Sequence, residues 1–491
     1  MQLIGKPLYY KVALKALEET IIPELQSPSA LAAGAFVLDA IRAVARREDE
    51  GGSLLERRNL QAMDIAASLE AALTAHGVPL PARPTGARSD AVGFEPLAVS
   101  NGELTRWLAE LVNLFAQSVP FKLRNAGDLA LLRQAAEWEC QTGSDFAAVP
   151  APPAGNESTE PPLRDALTAF IRSGHHDADA VTITHLQRAA GGFGKQTYLL
   201  EIKDGSGALE KLVVRKEDPA PICDHPSFDL EREFHLVSAV NRSGYRAPLP
   251  LWFSRKSPGI DAPFYVMKAL TGKAAGSFLE GANRIPESLA LEFAELLAKL
   301  HQIPLESLSE VIARFEDPSV LTETIAQGYR RHIASWRDYV RTARTLPSPL
   351  LAYLFDWLET HVPEDTSRPV LVHGDYSIHN ILIDDDHITG VLDWEAAMFG
   401  APGIDLAYVR LGLAKHIDWS TFVEHYRRCG GRHVDDATLD YHLTFQAVKI
   451  MVAMIRAHYL LHSETLTDIR LTIFELGLVP QFMKMALSTT S

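Results

Sequence analysis

Apolar residues recur every three to four positions through roughly the first 145 residues of the chain. Leu55, Ala62, Ala66, Leu69 and Leu73 form one stripe and Leu104, Leu108, Leu111 and Phe115 another, the spacing that lines one face of a buried helix. This part of the chain is therefore expected to be all helical. The pattern then stops. AAVPAPPAGNESTEPP, residues 147–162, is rich in Pro, Ala, Ser and Glu and has no period, which suits an exposed linker. From about residue 181 the period shortens to two in VTITHLQRA, TYLLEIK and KLVVRKE, short β-rich runs separated by glycine-containing turns that predict an antiparallel sheet. A helix is expected over 228–241, another strand at FYVMKAL, and mainly helix after Glu287. These shifts divide the chain into a helical accessory region (1–146), a linker (147–164), a β-rich part (165–270) and a helical part (271–491).

With 491 residues, 47% of them hydrophobic, two or three domains with sizeable cores are expected. A net charge of −15 argues against nucleic acid or an anionic membrane as the main partner, since both call for a surplus of Lys and Arg. Cys140, Cys223 and Cys429 lie far apart and form no metal-ligand or disulfide pattern, which fits a reducing cytoplasm. The most apolar late segment, Phe445 to Leu461, carries Lys449, Arg456 and His458 and reads as a core helix rather than a membrane span. The first helical region has no cluster of acids, histidines or glycines suited to chemistry, so docking or homo-oligomerisation is its expected role.

The densest chemistry lies in VLVHGDYSIHNILIDDDHITGVLDWE, residues 370–395. A strand-like VLVH enters a loop with Asp375, Asn380 follows five positions on, ILI and ITGVL make a hairpin turning at the aspartates of 384–386, and Asp393 stands at the hairpin's end. Phosphoryl transfer needs this kind of kit. A hydroxyl must be aligned with the γ-phosphate and the phosphate oxygens neutralised by metal, and three oxygen-bearing side chains on adjacent loops can do both. Each residue taken singly is more ordinary, a turn, a cap or a strand-end carboxylate. Their joint spacing carries the argument.

HGDYSIHN followed by DWE resembles the aminoglycoside phosphotransferase family, whose fold is protein-kinase-like. The resemblance implies an α+β, bilobal architecture, a β-rich N-lobe and a helical C-lobe, preceded here by the all-α region. It implies ATP and Mg²⁺, with Asp375 accepting or orienting the acceptor's proton and Asn380 and Asp393 holding the metal. Trp394 and Glu395 stand where protein kinases have Phe-Gly, which favours a metabolite or drug over a protein acceptor. In GAPGIDLAYV, residues 400–409, the resemblance makes Asp405 a brace for the catalytic loop, while Ala401 replaces a common Asp.

Upstream, GGFGKQTYLLEI would cover the phosphates through Gly192 and Gly194, although glycines between strands usually only make a turn. It is not a Walker A loop. Alternation from Val213 turns Arg215 inward and Lys216 outward, so Arg215 is expected to meet the phosphates, partnered by Glu233 or, second, Glu231. The backbone of Met267 to Ala269 is expected to hydrogen-bond adenine. His301 and His373 are read as packing or loop-holding residues rather than bases. LVVRKE, LAKLH and VLDWEAAMFGAPGIDLAYV resemble the acyl-CoA-dehydrogenase-associated and hydroxyacyl-CoA kinase branch more than dedicated antibiotic kinases, which implies a small hydroxylated acceptor of that class. An aminoglycoside or macrolide kinase and a catalytically silent scaffold are the alternatives. The pairs Arg46-Arg47, Arg57-Arg58 and Arg330-Arg331 would suit CoA phosphates, but solvated helix faces explain them more simply.

Overall fold

A computed structural model describes residues 6–26, 28–86, 93–147, 161–174, 181–189, 194–218, 221–277, 281–282, 285–343, 345–466 and 468–490. It resolves into two compact units, one of residues 1–153, 333–362 and 447–491, the other of 154–332 and 363–446.

The first unit is helical. Its long helices Pro28–Ala75, Phe94–Ser118 and Ala126–Phe146 bury both predicted stripes, with Leu69, Leu73, Leu104, Leu108, Leu111 and Phe115 fully enclosed. Asn125 starts the third helix with a reciprocal capping box to Asp128, satisfying two orphan N–H groups. Against these helices pack Pro349–Thr360 and Val479–Ser488 from much later in the chain. The accessory region is thus not a core of its own, as the boundary at 147–164 suggested. Most of that expected linker lies outside the described residues, and the helix Pro161–Gly174 already begins within it.

Polar links fasten the late segments of this unit. Arg124, 2% exposed, pairs with Asp356 and also donates to the Val119 carbonyl. Glu139 accepts from Ser348 Oγ (2.9 Å) and from the Leu350 N–H (2.7 Å) at the start of the helix Pro349–Thr360. Burial pushes the Glu139 carboxyl up from its usual 4.5 to about 7, against the pull of those two donors. The folded protein therefore binds a proton there that the unfolded chain has already released, so stability should fall as pH rises from 4.5 to 7 and level off above. Glu139→Gln should flatten that slope, changing the difference between urea-unfolding free energies at pH 5 and pH 8 by about 2 kcal/mol.

The second unit holds a five-stranded antiparallel sheet in the order β1 (Thr182–Arg188), β2 (Lys195–Lys203), β3 (Leu209–Glu217), β5 (Phe264–Lys268), β4 (Pro250–Ser254). Strict alternation sorts its two faces. Tyr198, Leu200, Ile202, Leu212 and Val214 meet Leu163, Leu167 and Ile171 of the helix Pro161–Gly174. On the other face Val213, Tyr265 and Met267 meet Leu230 and Phe234 of the helix Leu230–Arg242, which Asp229 caps through the N–H groups of Glu231 and Arg232. Two-residue strands follow, β6 (Lys273–Ala274), β7 (Gly276–Ser277) and β8 (Gly281–Ala282). Then come β9 (Val370–Val372), the hairpin β10 (Ile381–Asp384) and β11 (His387–Val391), and β12 (Met398–Gly400), which pairs with β9. Asp385 and Asp386 both have positive φ (47° and 62°), as a tight primed hairpin turn requires. Among the described residues no helix is long and apolar enough to cross a membrane.

Candidate active site

The loop after β9 carries Asp375 and is held from beneath. The N–H groups of His373 and Gly374 each donate at 2.8 Å to Asp405, which is completely buried at the start of the helix Gly403–Leu413. His301 Nε2 lies 3.1 Å from the same carboxylate, and its Nδ1 lies 2.8 Å from the Tyr426 hydroxyl. His373 Nε2 reaches the Leu392 carbonyl at 2.9 Å, joining the loop to the chain just before Asp393. Gln446 donates to the Gly374 carbonyl. A buried carboxylate with backbone and imidazole donors fixes a loop far better than an exposed one would.

Gly374 makes the close approach possible. Its φ is +75°, and a Cβ there would sit 2.2 Å from the Ala396 carbonyl oxygen. Gly374→Ala should therefore cost about 1–3 kcal/mol from the left-handed backbone alone, and more from the overlap. A melting temperature several degrees lower and a parallel loss of turnover are expected. An unchanged melt would show that the loop can retreat from Ala396.

Asn380 turns its Nδ2 to the Asp375 carbonyl (2.9 Å) and to Asp375 Oδ2 (2.8 Å). The other carboxylate oxygen, Oδ1, is buried without a hydrogen-bond partner, which is costly unless something else arrives to use it. Asp393 follows β11 with a left-handed backbone, φ 61°, and its side chain is 37% exposed. A divalent cation fits this donor set. With its amide nitrogen committed to Asp375, Asn380 offers its oxygen, and Asp393 offers a carboxylate, both hard donors that suit Mg²⁺. Among the described residues no three His, Cys, Asp or Glu side chains gather at ligand spacing.

Arg215, on the face of β3 shared with Val213, lies 3.0 Å from Glu233, 3.0 Å from Asp393 and 3.4 Å from Glu395. Burial disfavours its charge, but the three carboxylates, Glu233 foremost, outweigh that and hold the guanidinium above its usual pKa. Tyr265 donates to Glu233 at 2.9 Å and fixes it. Glu231, the second choice as partner, instead pairs with Arg255 and Arg314. Glu395 is pushed up to about 8 by burial and then by Asp393. Its carboxylate reaches the glycine loop, for a Cβ on Gly194 would stand 3.3 Å from both of its oxygens. Gly192 lies outside the described residues. Asp375, Asn380, Asp393, Arg215, Glu233 and Gly194 thus all belong to the second unit.

Met267 and Ala269 are differently placed. Met267 sits inside β5, opposite Val213 and Pro250, and the Ala269 N–H donates to the Lys211 carbonyl at 3.0 Å. The expected adenine contact through the Ala269 N–H is therefore already taken by the sheet, and a purine would have to use the chain beyond it. Sequence reasoning also passed over Glu395, noted only as a departure from Phe-Gly, and Tyr408, whose phenol lies against the Asp375 carboxylate. Tyr408 follows Asp405 by three positions on one helix, a spacing that puts both on the same face.

The profile of the phosphotransferase enzyme family matches residues 185–438, just over half of the chain. Acyl-CoA dehydrogenase family member 11 of Gallus gallus is 30% identical over 209 residues, covering 40% of this chain and 24% of that protein. Member 10 of Mus musculus is 27% identical over 255 residues, covering 50% and 22%. The chain thus spans about a quarter of the length of these relatives. The structure of the GDP complex of aminoglycoside 2′-phosphotransferase-IIIa superposes with a TM-score of 0.43 at 15% identity, over 67% of this chain and 99% of that one. The site built around Asp375 lies within the matched region, and the chain belongs to the phosphotransferase enzyme family.

Proposed function

We propose that the protein transfers the γ-phosphate of ATP to the hydroxyl of a hydroxyacyl-CoA or a closely related metabolite. The observation that carries the reaction is the Asp375 carboxylate, with one oxygen pinned by Asn380 and the other buried and unpartnered. A hydroxyl brought to the Asp375 carboxylate would donate its proton there as its oxygen bonds to the γ-phosphorus, while the bond from phosphorus to the bridging oxygen of ADP breaks. Asn380 and Asp393 would hold Mg²⁺, which when bound neutralises the phosphate oxygens. Arg215, oriented by Glu233, would face the same phosphates, which the backbone N–H of Gly194 would help to cover. Adenine lies along the chain that follows Met267 and Ala269.

The acyl-CoA part of the proposal rests on the curated relatives, whose names are those of acyl-CoA dehydrogenase family members. The test is Mg²⁺-dependent ATP consumption against 3- and 4-hydroxyacyl-CoAs, aminoglycosides, macrolides, choline and homoserine. Turnover with a hydroxyacyl-CoA is expected. Turnover confined to antibiotics would replace this acceptor class, and a folded protein that binds no Mg·ATP in a thermal-shift assay would be a scaffold.

A further inference from the structure

Three consecutive charges, Glu231, Arg232 and Glu233, open the helix Leu230–Arg242, and the middle one touches none of the groups assigned to the reaction. Arg232 is 2% exposed, far more enclosed than an arginine normally is. Its guanidinium reaches three ways. Nε donates at 2.7 Å to Glu316, just past the helix Ser309–Phe315, while one terminal nitrogen donates to the Ser227 carbonyl at 3.1 Å and the other to the Ala397 carbonyl at 2.8 Å. A planar fork with donors at fixed angles suits such a junction better than the single ammonium of a lysine.

What the third bond reaches decides its meaning. Ala397 stands four positions after Asp393, and its N–H closes a turn onto the Trp394 carbonyl at 3.1 Å. Its neighbour Ala396 lies against Gly374 of the catalytic loop, and the residue after it, Met398, opens β12, the partner of β9. The Ala397 carbonyl therefore belongs to the short segment that joins Asp393 to the strand pair carrying the Asp375 loop. From the same turn of the helix, Glu233 holds Arg215 at 3.0 Å, and Arg215 meets Asp393 at 3.0 Å. Helix and Asp393 segment are thus joined twice, once through side chains and once through Arg232 and the main chain.

The two joins respond differently to a ligand. Asp393 would exchange Arg215 for Mg²⁺ and Arg215 would exchange Asp393 for phosphate, so the side-chain join is given up as Mg·nucleotide enters. The partners of Arg232, two carbonyls and Glu316, are none of the groups proposed to bind metal or phosphate. We infer that Arg232 is a positioning residue for the metal–nucleotide site, keeping the helix of Glu233, and through it Arg215, in register with Asp393 when Mg²⁺ and phosphate have drawn those two apart. This deepens the proposed reaction and rests on Asp393 being a metal ligand. An arginine that only fastened the fold would act equally with and without metal, and that difference separates the two roles.

The test is ADP binding to the full chain by calorimetry, once with Mg²⁺ and once with EDTA. Arg232→Met alone leaves Glu316 enclosed without its counter-charge and is expected to lower the melting temperature. Combined with Glu316→Gln it removes that charge and isolates the loss of the carbonyl tethers. In this double variant the tightening of ADP by Mg²⁺ is expected to shrink at least about tenfold, or about 1.4 kcal/mol, while ADP affinity in EDTA stays within about twofold of wild type. Glu316→Gln alone should keep the wild-type gain from Mg²⁺, because Arg232 keeps both carbonyls, and Arg232→Lys, which retains the ion pair but has one head for three acceptors, should lose part of it. A full Mg²⁺ gain in the double variant, or equal weakening with and without Mg²⁺, would overturn the inference and leave the metal site standing. A wild-type protein whose ADP affinity ignores Mg²⁺ would instead remove the metal role of Asp393, and the inference with it.

Discussion

Asp375→Ala is expected to lower turnover by about a thousandfold, within the range a positioned general base contributes, while Mg·ATP binds with nearly wild-type affinity. The two halves of this result have separate causes. Chemistry is lost because the buried Oδ1, the one carboxylate oxygen without a partner, is the atom that would receive the acceptor's proton. Nucleotide affinity survives because the substitution removes only one of the bonds that shape the loop, from Asn380 to Asp375 Oδ2, and leaves the others. His373 and Gly374 still donate to Asp405, and Asn380 keeps its bond to the residue 375 carbonyl at 2.9 Å, so its amide would remain able to offer its oxygen to a metal ion. Single-turnover kinetics with a nucleotide titration separate the effects. Retained turnover would remove Asp375 as the proton acceptor, and lost nucleotide binding would mean that its side chain holds the metal site together.

The second large effect is on stability. Arg124→Ala should cost about 3–5 kcal/mol, because it leaves Asp356 buried with no counter-charge. That is a large share of the roughly 5–15 kcal/mol that holds a domain folded. The pair is enclosed, with 2% and 9% of its side chains exposed, and Arg124 also ties down the Ala116 and Val119 carbonyls. Arg124→Met combined with Asp356→Leu should recover most of the loss, since an apolar pair of similar bulk needs no compensation. Deleting residues 1–150 removes Arg124 and Glu139 together with the three long helices, stripping cover from buried Leu350, Leu351, Leu354 and Leu358. The remaining chain is expected to aggregate. A soluble remainder with a cooperative melt would show that the late helices can bury their own apolar face.

Much of the site was legible because its spacing is local. Asp375 and Asn380 sit five apart on one loop, and Asp393 is returned to them by a hairpin whose length and turn are written in consecutive residues. Alternation along one strand likewise chose Arg215 over Lys216, since a sheet buried on both faces sorts side chains by parity. Glu395 was hidden for the opposite reason. Its importance comes from meeting Gly194 and Arg215, about 200 and 180 positions away, and no local pattern reports such a meeting. The Ala269 N–H was misjudged because a strand's end depends on how far its neighbour continues, and β3 supplies the Lys211 carbonyl as an acceptor.

Sequence alone determined the order of elements and the family, both consequences of helical and strand periodicity and of a motif confined to some 25 residues. Tertiary structure decided which segments share a core. The break in periodicity at 147–162 marks a change of sequence pattern, but a core is defined by what buries what. Helices from residues 333–362 and 447–491 close the first unit's apolar faces and bring Asp356 to Arg124, and burial between segments more than 200 residues apart leaves no mark on the linker between them.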